Sequence, residues 1–136
     1  MSCVLRVSGE SLDLDELLVQ ADVQPHRVWR KGVPRLDGAR LNETSGATFV
    51  MSHAGFSELN FQGRDVLCFL RDHSAWIARL AALPGVSVVA DFAVELTPPY
   101  WASFVFEPRL VAALSRVGAA LELSAYPSGL EAGIDA

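Results

Sequence analysis

The sequence predicts an α+β fold: a two-layer sandwich with a mainly antiparallel sheet and helices packed on one face, the ferredoxin-like arrangement being the nearest template. Three observations predict it. Five segments alternate apolar and other side chains with a period of two. Three segments carry apolar residues at helical spacing and stand between the strands. Clean alternation, finally, belongs to a sheet with one face under helices and the other more open.

The first element is the strand CVLRVSG. Cys3, Leu5 and Val7 point one way, Val4, Arg6 and Ser8 the other, and Gly9 ends it. DLDELLVQA follows as a short helix. Asp13 caps it with Glu16 three residues on, and Leu14, Leu17, Leu18 and Ala21 form its apolar stripe. Pro25 closes that unit. Residues 26–46 have no clear period, and Gly32, Pro34, Gly38, Asn42 and Gly46 punctuate them as a long loop or short irregular strands. A segment of that length without regular structure is often functional.

ATFVMSH is the next strand. The strongest helix is GRDVLCFLRDHSAWIARLAALPG, with Val66, Phe69, Leu70, Ile77 and Leu80 on one face and Pro84-Gly85 as its stop. VSVVADFAVEL is a long alternating strand. TPPYW turns the chain, and ASFVFE is expected to be a strand with Ala102, Phe104 and Phe106 inward. Pro108 suits the first position of the helix PRLVAALSRVG, and Gly118 suits its C-terminal stop. ALELSAY is the last strand.

At 136 residues, 51% of them hydrophobic and 20% charged, the chain is long and apolar enough for one core. It reads as a single α+β domain over 1–126 with a flexible C-terminal tail over 127–136. A formal net charge of -5 argues against binding nucleic acid. No run reaches membrane-spanning length and no signal peptide opens the chain, so no membrane partner is expected. Cys3 and Cys68, the only cysteines, lack metal-ligand spacing, and two free thiols suit a reducing, cytoplasmic setting.

Alternation also defines the face opposite the helices. It should carry Val4, Val50, Val89 and Val105, with Arg6, Thr48, Ser52, Asp91 and Glu122 among its polar members. A row of valines suggests cover by a second subunit, hence a homodimer, or by residues 26–46 folding back; isolated surface valines are the plainer alternative.

Chemistry assembles poorly. His26, His53 and His73 are too dispersed for a metal motif, and no GxSxG, Walker A or GxGxxG pattern occurs. Ser52, His53, Ser57 and Glu58 share one loop, but local clustering is weak evidence for a hydrolase constellation. The sequence therefore assigns no catalytic residue, no metal and no cofactor, and leaves enzymatic activity undecided.

What departs from the acidic background is HRVWRKGVPR, residues 26–35. It holds four of the eleven basic side chains around a tryptophan. Arg27, Trp29, Arg30, Lys31 and Arg35, with Arg6 from the first strand, form the candidate anion- or partner-binding set. Trp and Arg are common interface anchors, and Arg suits bidentate recognition of carboxylate or phosphate. The competing reading packs Trp29 internally and pairs the arginines with surface carboxylates, which contributes little. Trp29 is expected half-buried, with the guanidinium groups facing outward.

The pieces LRVSGESLDLDEL, VQPHRVWRKG and LSRVGAALELSAY together resemble a family of small bacterial domains of unknown function. The likeness rests on Ser8-Gly9, Pro25, the Trp29-Arg30-Lys31-Gly32 segment and Gly118. It implies a soluble bacterial α+β domain and brings no activity, cofactor or catalytic residue. The expectation is a non-enzymatic interaction domain, immunity- or regulator-like, binding a protein partner or small anion. The alternative is a small enzyme or ligand carrier with a pocket between the open sheet face and the 26–46 segment.

Overall fold

The computed structural model describes residues 1–128. Its elements run β1 (Cys3–Gly9), α1 (Leu14–Gln20), β2 (Arg27–Trp29), β3 (Ser45–Ser52), α2 (Leu59–Ala81), β4 (Val86–Leu96), α3 (Pro108–Val117) and β5 (Ala120–Pro127). The strands form one open sheet in the order β2-β3-β1-β4-β5. Every neighbouring pair is antiparallel except β4–β5, which is parallel. That edge is where the sheet differs from the ferredoxin-like template. The fold is α+β, with a five-stranded, mostly antiparallel sheet and three helices among the described residues.

The helix layer forms where the apolar spacing demands it. Asp13 caps α1 by accepting from the Glu16 amide at 3.1 Å. Leu14 and Leu17 of α1, Val66, Leu70 and Ile77 of α2, and Leu110 and Leu114 of α3 join one core with Leu5, Phe49 and Phe92 of the sheet. Phe49 meets Trp76 edge-on at 5.0 Å. Gly118 ends α3 at φ 78°, a conformation that favours glycine.

Two expectations are corrected. Residues 102–107 are not a strand. The ladder position beside β4 is taken by β5, with Val89 opposite Ala120 and Leu96 opposite Pro127. A parallel partner needs a long crossover, and residues 97–119 supply it. Phe106 still packs inward, its ring 5.2 Å from Phe92. Ala102, however, is exposed, and Val105, at 79% exposure, belongs to no sheet face.

Ser52 is the second correction. A register shift falls between Cys3 and Val4: Cys3 sits opposite Ser52 while Val4 sits opposite Val50. The extra residue, Met51, turns Ser52 to the helix side. There its hydroxyl donates to Asp65 Oδ2 of α2 at 2.6 Å.

The 26–46 segment proves to be a hairpin. β2 pairs with β3, and beyond it the chain makes an arm over residues 30–43. Gly32 N–H donates to Asn42 C=O, Asn42 N–H to Val33 C=O, and Arg35 N–H to Arg40 C=O. At the other edge of the sheet, Ser128 N–H donates to Leu96 C=O at 2.8 Å. Residues 129–136 of the expected tail lie outside the described residues.

Candidate functional site

A broad cleft of about 1210 Å³ opens on the sheet face away from the helices. Its floor comes from Ser2, Val4 and Arg6 on the β1 side, Thr48 on β3 and Asp91 on β4. The arm and β2 form one wall, through Arg27, Trp29, Arg30, Val33, Arg35 and Leu36. Tyr126 closes the far end, where Phe56 packs on it at 5.8 Å between ring centres.

Trp29 anchors the wall. Its register partner is Gly46, and the indole lies over that glycine. A Cβ at Gly46 would collide with Trp29 Cζ2 and stand 2.6 Å from the Val7 carbonyl oxygen. Trp29 Nε1 donates to Thr44 Oγ1 at 3.2 Å. The ring is half-buried and the neighbouring basic side chains are exposed.

The arginines differ in their partners. Arg30 Nη2 donates to Asp15 Oδ1 at 2.6 Å, tying the arm to α1. This hydrogen bond, and then the Arg30 charge, holds the Asp15 carboxyl below its ordinary range. Arg6 Nη2 donates to Glu122 Oε2 at 2.6 Å, and its Nη1 stands 3.6 Å from Asp91 Oδ2. Arg27 and Arg35 have no carboxylate within ion-pair distance among the described residues.

The acidic end of the floor is equally specific. Ser124 Oγ donates to Asp91 Oδ1 at 2.6 Å. Burial raises the Asp91 pKa above its ordinary value and the Glu122 charge adds to this, against the opposing effects of Ser124 and Arg6. Two floor hydroxyls, Thr48 Oγ1 and Ser2 Oγ, are buried with no hydrogen-bond partner in the structure.

Of the six side chains singled out in the sequence, Arg6, Arg27, Trp29, Arg30 and Arg35 line the cleft. Lys31 does not; its amide donates to Ser45 Oγ at 3.0 Å and its side chain is exposed. Sequence reading missed Ser2 as a floor residue. The signal was available, because the alternation that turns Cys3 inward puts Ser2 on the side of Val4 and Arg6.

The 52–58 loop is not drawn together for catalysis. Ser52 Oγ–H donates a hydrogen bond to Asp65 Oδ2, and Glu58 Oε1 accepts from the Gly55 amide at 2.8 Å. His53 lines a smaller depression of about 400 Å³ with Asp65, Cys68 and His73. Among the described residues, no group of three or more His, Cys, Asp or Glu side chains is placed to hold a metal ion. Cys3 is buried and Cys68 exposed, and both are free thiols. No helix among the described residues is long and apolar enough to cross a membrane.

The model of a family described as Domain of unknown function (DUF4279) matches residues 1–128, and the chain belongs to that family. No curated protein and no solved structure matches it.

Proposed function

We propose that the protein is a binding domain whose partner is a small anionic ligand, an organic acid or phosphate ester with an apolar body, held in the cleft between the open sheet face and the 30–43 arm. The observation that carries this reading is the gathering of Arg6, Arg27, Arg30 and Arg35 around one concavity in a chain of net charge -5. Arg27 and Arg35 present donors to solvent with no internal acceptor among the described side chains, so an incoming carboxylate or phosphate meets charge that the fold has not already used. Val4, Trp29 and Val33 offer apolar surface beside them. The few polar groups then fix orientation while the apolar lining supplies contact area, the usual division of labour in ligand sites.

The basic side chains line a hollow, which supports the ligand-carrier reading over a flat interaction surface. A soluble bacterial protein in a reducing compartment is the setting we attach to it, and the two free thiols agree with that.

A thermal-shift panel of organic acids, phosphate esters and acidic peptides tests the reading, followed by NMR of the three indole N–H groups. The expected result is a small acid that raises the melting temperature of the wild type, moves the Trp29 indole resonance, and loses both effects in the double variant Arg27→Gln/Arg35→Gln. Equal binding by that variant, or hits that move only Trp76 or Trp101, would overturn it. Hits confined to acidic peptides would make the partner a protein. A homodimer at high micromolar concentration with the Trp29 indole shielded would make the occupant a second copy of the chain.

A further inference from the structure

Arg27, Thr48 and Arg6 stand side by side in the register of β2, β3 and β1, all on the open face. Neighbouring strands lie about 4.8 Å apart, so the two arginine Cα atoms are about 10 Å apart with Thr48 between them. Two guanidinium groups on stems of that length can reach one oxyanion from opposite sides. Thr48 is only 9% exposed, and its Oγ1 has no hydrogen-bond partner in the structure. A buried hydroxyl left unpaired is a desolvation penalty with no return in the fold. Valine would fill the same volume without the penalty, and β3 does use valine on this face at Val50.

We infer that an oxyanion, carboxylate or phosphate, seats over Thr48 between Arg27 and Arg6, taking hydrogen bonds from the Thr48 hydroxyl and both guanidinium groups. The inference rests on the cleft reading above and specifies where in the cleft the charged end of the ligand sits. Arg27 is free to close on it, having no carboxylate partner among the described residues. Arg6 is not free: it is drawn toward β4 and β5 by Glu122 at 2.6 Å and Asp91 at 3.6 Å. An anion over Thr48 therefore competes with Glu122 for Arg6. Neutralising Glu122 both releases the guanidinium toward the seat and removes a nearby negative charge, and each change strengthens binding.

The test titrates inorganic phosphate and, separately, acetate into ¹⁵N-labelled protein at constant ionic strength, reading the amides of β1–β3 and the arginine Nε–H groups. Thr48→Val is expected to melt at or above the wild-type temperature and to bind the preferred anion about tenfold more weakly, the loss of one hydrogen bond to a charged group. Thr48→Ser, which keeps the hydroxyl, should stay within about twofold. Arg27→Gln should weaken binding about tenfold or more. Glu122→Gln should tighten it about threefold, and Arg35→Gln should change it by less than about threefold, as expected for charges acting through solvent. The tighter of the two anions names the headgroup. Wild-type affinity in both Thr48→Val and Arg27→Gln would overturn the seat. If Arg35→Gln and Arg30→Gln lose binding instead, the anion sits on the arm, and the cleft reading stands without the seat. If no cleft substitution alters the titration, both fail.

Discussion

On β1, Cys3, Leu5 and Val7 are wholly buried under the helices, while Val4 and Arg6, one residue away on the same strand, stand half-open in the cleft. The two faces share a backbone and a register, yet they are built to different ends. The helix-side face is mostly apolar: its side chains meet those of α1, α2 and α3, although Gln62 Oε1 and Trp76 Nε1 of α2 are also buried there without hydrogen-bond partners. The open face holds an arginine facing two carboxylates, and two buried hydroxyls without partners. Apolar burial accounts for the first face. What sets the second apart is charge: a partly buried arginine between two carboxylates and a raised carboxyl pKa are costs to the fold, and perturbed charged groups of that kind are common where a protein binds something.

The largest expected contrast comes from neighbouring residues on β3. Phe49→Ala should cost about 3–5 kcal/mol, since it empties a fully buried site against Trp76. Val50→Ala, on the half-open face, should cost about 1 kcal/mol or less. Denaturant melts of the two variants measure the asymmetry, and equal losses would break it.

The next test probes a tightly packed place on the open face. Gly46→Ala should cost about 1–3 kcal/mol, because the added methyl meets the Trp29 ring and the Val7 carbonyl oxygen. Trp29→Ala should cost about 2 kcal/mol, between core and surface values. A loss within about half a kcal/mol would class Trp29 as a purely exposed anchor. In the double variant the clash with Val7 persists, so removing the ring should recover only part of the Gly46→Ala loss.

A smaller effect is expected at Asp91. Its folded pKa is raised, chiefly by burial, so the folded state holds the proton more readily than the unfolded chain. The stability this provides is present below the ordinary carboxylate pKa and is lost as pH rises through the raised value. Asp91→Asn should therefore be more stable than the wild type near neutral pH, with the difference shrinking as pH falls into the acid range. Melting temperatures followed from neutral to acid pH check the sign. A wild type more stable than the variant at neutral pH would mean that Arg6 outweighs burial.

The smallest test leaves the fold untouched. Burial pushes the Cys3 thiol pKa far up, with the Asp91 and Asp65 charges adding to it, so Cys3 stays protonated and shielded. Cys68 is exposed. A thiol reagent should count one reactive group in the native protein and two after denaturation in the absence of reductant. Two fast thiols in the native protein would mean that the covered face opens readily.

Much of this was legible in the chain. Asp13 and Glu16 announced the start of α1, Pro108 and Gly118 bracketed α3, and alternation in CVLRVSG separated the core side of β1 from its cleft side. Those signals are local, carried by residues within a turn or a strand of one another. The basic segment around Trp29 was legible as composition, and five of the six residues drawn from it and from β1 came to line one cleft. Lys31 fell outside because the chain turns at Lys31-Gly32; Gly32 announced a turn, but not which way the side chain beside it would face. ASFVFE alternates like a strand, yet the ladder position it would need belongs to β5, a competition between segments far apart in sequence.

By itself, then, the sequence determined the α+β class, the side of each strand that meets the helices, and the existence of a basic, tryptophan-bearing segment in an acidic chain, because side-chain periodicity and charge are properties of neighbours. The tertiary structure decided the rest. Register set Arg27, Thr48 and Arg6 in one row. The extra residue between the Val50 and Ser52 pairings sent Ser52 to the helices. The parallel pairing of β5 brought Glu122 to Arg6 across 116 positions of chain. Each of these depends on which strands pair and in what alignment, and that is settled by the free energy of the whole packed core rather than by any stretch of residues within it.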